Sequence, residues 1–264
     1  MGVIYTISSN KGGTGKSSLV SNISSVIAEN QGKKILIIDT DGQGNLSIAF
    51  GLNPSDYENT TYDVLVKGTD IKDCLVKVTD NIDLLPSNDD MNFLEFDILP
   101  KYQEYKRPFH LLYDKLSQIK NEYDYIFIDT PPSLGLVAGN VLVASDKVII
   151  PFVPEMYSVR GLVKVINAVN DFKRRDNPNL EIAGVVGVMV DSRTNLHTDM
   201  LQQARRYCLE NDIKMFDTII PKSIRFANAT AYQGKPAVLT ESSHPMVKSY
   251  FKLTDEIVGG DYNV

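Results

Sequence analysis

The sequence predicts an α/β fold of the doubly wound kind: one domain, with a mostly parallel sheet and helices on both faces. Two observations carry this. Short apolar runs alternate with longer amphipathic stretches along almost all of the 264 residues, the rhythm of β-α-β units. Several of those runs are continuous rather than alternating, as in strands buried on both faces of a parallel sheet. The composition allows a large core, at 43% hydrophobic and 23% charged.

The elements follow in order. Residues 3–8 read as the first strand, 16–29 as a helix and 34–39 as the second strand. Residues 53–99 are the least regular part, with short elements, turn residues and the acidic pair Asp89 and Asp90. We read them as an insertion on the domain, carrying a strand at 82–86. Further strands are predicted at 125–129, 147–151, 182–190 and 216–220, and helices at 135–144, 159–172, 198–210 and 245–258. Tyr102, Tyr105, Phe109 and Tyr113 recur at the spacing of one helix face, with Pro108 placed to break or restart that helix. They read as packing residues. A sheet of this kind binds ligands beyond the carboxyl ends of its strands.

Several classes drop out. Cys74 and Cys208 lie far apart without a pair motif, which argues against a disulfide framework or zinc site and suits a reducing cytoplasm. His110, His197 and His244 share no metal spacing. The first residues lack the basic-then-apolar pattern of a signal peptide, and no run of eighteen apolar residues offers a membrane span. A net charge of −6 speaks against nucleic-acid binding by the chain as a whole, because phosphate affinity comes from Lys and Arg. Any such contact must come from a local basic patch.

The strongest chemical signal is Lys11-Gly12-Gly13-Thr14-Gly15-Lys16-Ser17, set between the first strand and a helix. Glycines let such a loop wrap closely, so that backbone N–H groups point at phosphate oxygens, and the helix that follows adds its positive end. In this pattern Lys16 neutralises the β- and γ-phosphates and the Ser17 hydroxyl is placed to ligate Mg²⁺. Ser18 completes the predicted nucleotide contacts. Asn10 stands where the general phosphate-loop pattern has glycine, and the loop gains a second lysine, Lys11. Two apolar strands end in aspartate, at Asp39 and Asp129. Phosphoryl transfer needs a metal anchor and a way to orient water. Asp129, followed by Thr130-Pro131-Pro132, suits the metal role; Asp39 and Asp41, flanking Thr40, suit one metal-shell ligand and one water-orienting group.

These motifs resemble those of the ParA/MinD superfamily of deviant Walker-A P-loop ATPases: KGGTGKS, DTDGQGN and FIDTPPSLG. The segment at 151–155, Asp191-Ser192-Arg193-Thr194-Asn195, and Ile220-Pro221-Lys222 through Gly234-Lys235-Pro236 narrow the likeness to the Soj-like ParA branch. It covers nearly the whole chain outside 53–120. The resemblance implies a homodimer closed around ATP and Mg²⁺, in which Lys11 reaches the partner's nucleotide. It implies that Asp41 positions the attacking water, Asp39 and Asp129 serve the metal, and Pro221 borders the adenine. Arg193 and Arg225, with Lys222 beside them, match positions that touch double-stranded DNA without reading its sequence. A ParB-like centromere-binding protein would be the partner that stimulates a slow intrinsic ATPase. The protein would then be cytoplasmic, and nucleoid-associated when ATP-bound. Residues 193–235 carry seven Lys/Arg against four acids, and Lys173-Arg174-Arg175 adds a short cluster, so a dimer could bind phosphates nonspecifically.

The sequence departs from the family pattern at Gly42, where proline is usual, and at Asn228, where glutamate is common. Because the first strand begins at residue 3, no operator-reading domain is expected ahead of it. The alternative function is a MinD-like membrane-cycling regulator, which wants a basic amphipathic C-terminal helix; the tail at 256–264 is short, glycine-interrupted and acidic. An iron–sulfur electron donor would need paired cysteines near the nucleotide loops, and a bacterial P-loop tyrosine kinase would need a terminal tyrosine cluster.

Overall fold

The fold was obtained as a computed structural model, which describes residues 2–259. In chain order the elements are β1 (Val3–Ile7), α1 (Lys16–Gln31), β2 (Ile35–Asp39), α2 (Asn45–Ala49), β3 (Val76–Lys77), β4 (Ile82–Leu85), α3 (Leu94–Ile98), α4 (Leu111–Ile119), β5 (Tyr125–Asp129), α5 (Leu136–Ala144), β6 (Lys147–Phe152), α6 (Ser158–Arg175), β7 (Glu181–Gly187), α7 (Asn195–Glu210), α8 (Ile224–Gln233), α9 (Ala237–Thr240) and α10 (Lys248–Val258). Among the described residues the strands form one sheet of seven, in the order β3-β4-β2-β5-β1-β6-β7. Every pairing is parallel except that of the short edge strand β3 with β4.

Burial explains the unbroken apolar runs. β2 is buried at all five positions and β5 at its last four, because helices cover both faces. On one face α1, α8, α9 and α10 pack with Ile7, Ile37 and Phe127. On the other, α3, α4 and α5 pack with Ile38, Ile126 and Ile128. A third cluster joins α6 and α7 to β6 and β7 through Ile150, Leu162, Val185 and Ala204. The predicted doubly wound, mostly parallel sheet is therefore the observed one.

Four details differ from the sequence reading. Residues 216–220 are not a strand. They run beside β7 with bonds such as Phe216 N–H to Val185 O and Ile220 N–H to Gly187 O. The Glu256 carboxylate, however, takes the N–H groups of Asp217 and Thr218 (2.9 and 2.8 Å), which bends the segment off the ladder. β7 also ends at Gly187, short of the expected 190. Tyr102, Tyr105, Phe109 and Tyr113 do not share a helix: α4 begins only at Leu111, after Pro108, and Tyr102 and Tyr113 are exposed while Tyr105 and Phe109 pack on the core. Finally, α8 has no counterpart among the expected helices.

Candidate active site

The sheet order sets β2, β5 and β1 side by side, so the loop after β1 and the aspartates ending β2 and β5 meet at one edge. The loop is held by its own hydroxyls. Ser9 and Thr14, both buried, share a hydrogen bond of 2.7 Å, and the Ser9 hydroxyl donates to Lys11 O at 3.0 Å. Gly13 and Gly15 have φ of 69° and 73°, a left-handed conformation that costs any residue with a Cβ. A Cβ on Gly12 or Gly13 would meet nothing within 4 Å, so the space over the loop is filled by no part of the chain. Gly15 caps α1, and no side chain satisfies the first N–H groups of this 16-residue helix. Orphan N–H groups and the helix dipole make that end an anion site. Lys16 lies in the first turn, 7% exposed, and Ser17 follows it.

Asp39 and Asp129 are partners in the parallel register of β2 with β5, and both are buried. The Ser17 hydroxyl donates to Asp129 Oδ2, whereas Asp129 Oδ1 is buried with no hydrogen-bond partner. Burial drives the Asp129 carboxyl above its usual range, against the pull of the Ser17 bond and the Lys16 charge. Burial, then the Asp129 charge, also raises Asp39. Two crowded carboxyls with one unsatisfied oxygen form a site that a cation would relieve. Asp39 also organises the neighbouring loop. Its oxygens accept the N–H groups of Asp41 and Leu46, at 2.9 Å each, and so shape the stretch between β2 and α2. Asp41 is half-buried at the rim, where Oδ1 accepts the Gln43 N–H (3.1 Å).

The remaining candidates spread around this centre. Lys11 is exposed on the loop crest and ion-paired with Glu155, a contact that the sequence does not show. Ser18 shares a 2.9 Å hydrogen bond with Tyr250 of α10, equally invisible in the sequence, since 232 residues separate the pair. Pro221 is half-buried and bridges to Val190; nearby, the Met189 methyl lies 3.6 Å from where a Gly15 Cβ would be. Lys222 N–H bonds Val190 O, so Arg193, Lys222 and Arg225 sit on adjoining segments beyond β7. Arg193 is pinned bidentately by Asp191 and Arg225 is bonded to Glu241 (3.0 Å). Arg174 and Arg175 are likewise paired, with Asp171 and Asp176.

A glycine turn opening on a helix N-terminus, with a buried lysine and a serine bonded to a strand-end aspartate, defines a P-loop nucleotide-binding protein. Comparison with known proteins agrees. Residues 2–182 match the model of an AAA domain family. The sporulation initiation inhibitor protein Soj of Bacillus subtilis is 34% identical over 97% of this chain and 98% of its own. The chromosome partitioning protein ParA of Caulobacter vibrioides is 31% identical over 97% and 93%. A crystal structure of cobyrinic acid a,c-diamide synthase from Mycobacterium smegmatis, with bound ATP analog and magnesium, superposes with a TM-score of 0.82 at 26% identity, over 97% and 93% of the two chains. The chain belongs to the ParA/MinD superfamily of P-loop ATPases, in its Soj-like ParA branch.

Proposed function

We propose that the protein is a ParA-type DNA-partition ATPase that binds ATP with Mg²⁺, dimerises around it, and adheres to nonspecific DNA until a ParB-like partner stimulates hydrolysis. The observation that carries the nucleotide reading is the buried pair of Ser17 with Asp129, whose second oxygen is unpartnered, beneath the open crest of Gly12 and Gly13. Its likeness to a protein crystallised with an ATP analog and magnesium supports the choice of ligand. Likeness to a chromosome partitioning protein supports the cellular role.

In this reading the backbone N–H groups of Gly12, Gly13, Thr14 and Gly15 and the Lys16 ammonium hold the phosphates. Ser17 and Asp129, with Asp39 behind them, hold the metal, which when bound neutralises charge developing on the transferred phosphoryl group. Asp41, at the rim on the loop that Asp39 clamps, orients the attacking water. Pro221 borders the adenine. Lys11 must leave Glu155 to reach the nucleotide of a second protomer, so the ion pair holds it in reserve in the single chain. Arg193, Arg225 and Lys222 contact DNA phosphates.

The MinD-like alternative is weaker on the described residues. α10 carries Asp255 and Glu256 near its end, against the basic face that an interfacial helix wants. The rest of the tail, residues 260–264, lies outside the described residues. The deciding experiment is pelleting on arbitrary DNA with ATP, ADP or no nucleotide. Retention is expected with ATP alone, lost in Lys16→Ala, and prolonged in Asp41→Ala. Retention indifferent to nucleotide would refute the reading.

A further inference from the structure

Residues 216–222 run as a strap along β7 and onto the loop that follows it. Phe216 N–H bonds Val185 O, Ile220 N–H bonds Gly187 O, Val190 N–H bonds Ile220 O and Lys222 N–H bonds Val190 O, at 2.8–3.1 Å. The strap also secures an uncommon backbone. Met189 has φ of 54°, a left-handed conformation that a residue with a Cβ keeps only when its surroundings hold it. Here the Val188 N–H to Phe152 O bond on one side and the Val190 N–H to Ile220 O bond on the other do so. The Met189 methyl in turn reaches the phosphate loop, 3.6 Å from where a Gly15 Cβ would be. Pro221 stands next to it, bridged to Val190. Both keep open surface: Met189 is 36% exposed and Pro221 is half-buried.

The strap has one anchor that the sheet does not supply. Where it leaves the β7 ladder, the Glu256 carboxylate of α10 takes the N–H groups of Asp217 and Thr218, one on each oxygen (2.9 and 2.8 Å). Burial works against a charge at this place, yet the Thr218 hydroxyl and the two N–H groups hold the carboxyl below its usual range. It is therefore ionised at neutral pH, and the bonds are charge-assisted. A second tie, from Lys214 Nζ to the Glu256 backbone O (3.1 Å), joins α10 to the chain ahead of the strap. None of the nucleotide roles above uses Glu256.

We infer that Glu256 is a positioning residue for nucleobase binding: through the N–H groups of Asp217 and Thr218 it fixes the strap, and the strap fixes the Met189 and Pro221 surfaces against which the base lies. The expected signature is selective. Releasing the carboxylate lets the corner of the strap at residues 217 and 218 shift, and small misplacements of a binding surface are costly. Contact with the base weakens, while the phosphates stay held by residues 12–16 as before. This role rests on the reading above, in which Pro221 borders the adenine.

The full chain with Mg²⁺ is titrated with a non-hydrolysable ATP analogue and, separately, with tripolyphosphate up to millimolar concentration, which fills a phosphate loop without offering a base. Displacement of a fluorescent ATP derivative reports both, once the derivative's own affinity for each variant is measured. Glu256→Ala is expected to weaken the ATP analogue about tenfold and tripolyphosphate by less than about twofold. Glu256→Gln, which keeps the packing but presents one acceptor to two donors, should weaken the ATP analogue several-fold, again with tripolyphosphate spared. Lys214→Ala cuts the other tie of α10 and should leave both ligands unchanged. An ATP affinity unchanged in Glu256→Ala and Glu256→Gln overturns the inference. So does an equal loss of both ligands, which would make Glu256 a general stabiliser, or a loss in Lys214→Ala as large as in Glu256→Ala. Tripolyphosphate as tight as the ATP analogue on the unaltered chain removes the base wall, and the role of Glu256 with it, while leaving the phosphate loop in place. Should the unaltered chain bind neither ligand, the nucleotide reading itself fails.

Discussion

Asp191 grips Arg193 through Nε and Nη2 at 2.8 and 2.7 Å, and the guanidinium holds that carboxyl well below the usual carboxylate range. The Arg193 side chain is nonetheless 88% exposed, so the pair is worth little to stability. Its consequence is for binding: a DNA phosphate must compete with Asp191 for the same fork of donors. Asp191→Asn should therefore strengthen ATP-dependent DNA retention several-fold, while Arg193→Ala should weaken it and lower the salt slope by about one. Glu241→Gln should free Arg225 in the same way. Filter-binding titrations over a salt series check all three; an Asp191→Asn protein no tighter than the parent would remove Arg193 from the DNA surface.

At the scale of the element, α5 shows how closely the second layer is packed. Its Gly139 lies under an edge-to-face pair, Phe109 and Phe172, with ring centroids 5.5 Å apart. A Cβ there would come within 2.5 Å of Phe109 and 2.8 Å of Phe172. Gly139→Ala should thus destabilise the fold by about 1–3 kcal/mol through overpacking, read as a lower urea midpoint with unchanged slope. The same scale shows what was legible in the sequence. β1, β2, β5 and β6 were readable because both faces are buried and apolar residues fill most of their positions. The phosphate loop was readable because its glycines and lysines are contiguous. The error at 216–220 arose because an apolar run looks like a strand whether or not its N–H groups join a ladder, and here a distant glutamate takes two of them. α8 was hidden because Ile224, Asn228 and Tyr232 face outward, and Phe226 and Ala229 are the apolar side chains that its described residues pack on the core, too sparse for a clear apolar stripe. The ties of Lys11 to Glu155 and Ser18 to Tyr250 join residues 144 and 232 positions apart, which no local pattern can reveal.

Across the whole molecule, α1 is the axle. Its N-terminus lies over the nucleotide loop, and its body is bonded to the C-terminal layer: Asn22 Oδ1 accepts the Val238 N–H (3.1 Å), while Tyr250 is bonded to Ser18 and receives the Phe226 ring edge-on. Tyr250→Phe keeps the packing and removes one buried hydroxyl. It should cost about 1 kcal/mol, leaving Ser18 with only its longer bond from Asn22. Ligand that fills the loop should stabilise the native chain by mass action, about 2.7 kcal/mol at a hundredfold excess over Kd. For a domain of this size that is a rise in Tm of roughly 5–10 °C. Two crowded, buried carboxyls make the rise depend on the cation, because ATP alone adds negative charge beside Asp39 and Asp129. ATP with Mg²⁺ should therefore stabilise strongly, ATP with a chelator weakly, and Asp129→Ala should abolish the difference between the two. Cys74 and Cys208 give an independent readout: both are buried, and burial pushes each thiol up to about 11. Alkylation near neutral pH should then proceed only through opening of the fold, and ATP with Mg²⁺ should slow it in proportion to the Tm shift. Thiols that react at once in the native protein would contradict the packing, and a Tm indifferent to Mg²⁺ would remove Ser17 and Asp129 from the metal site.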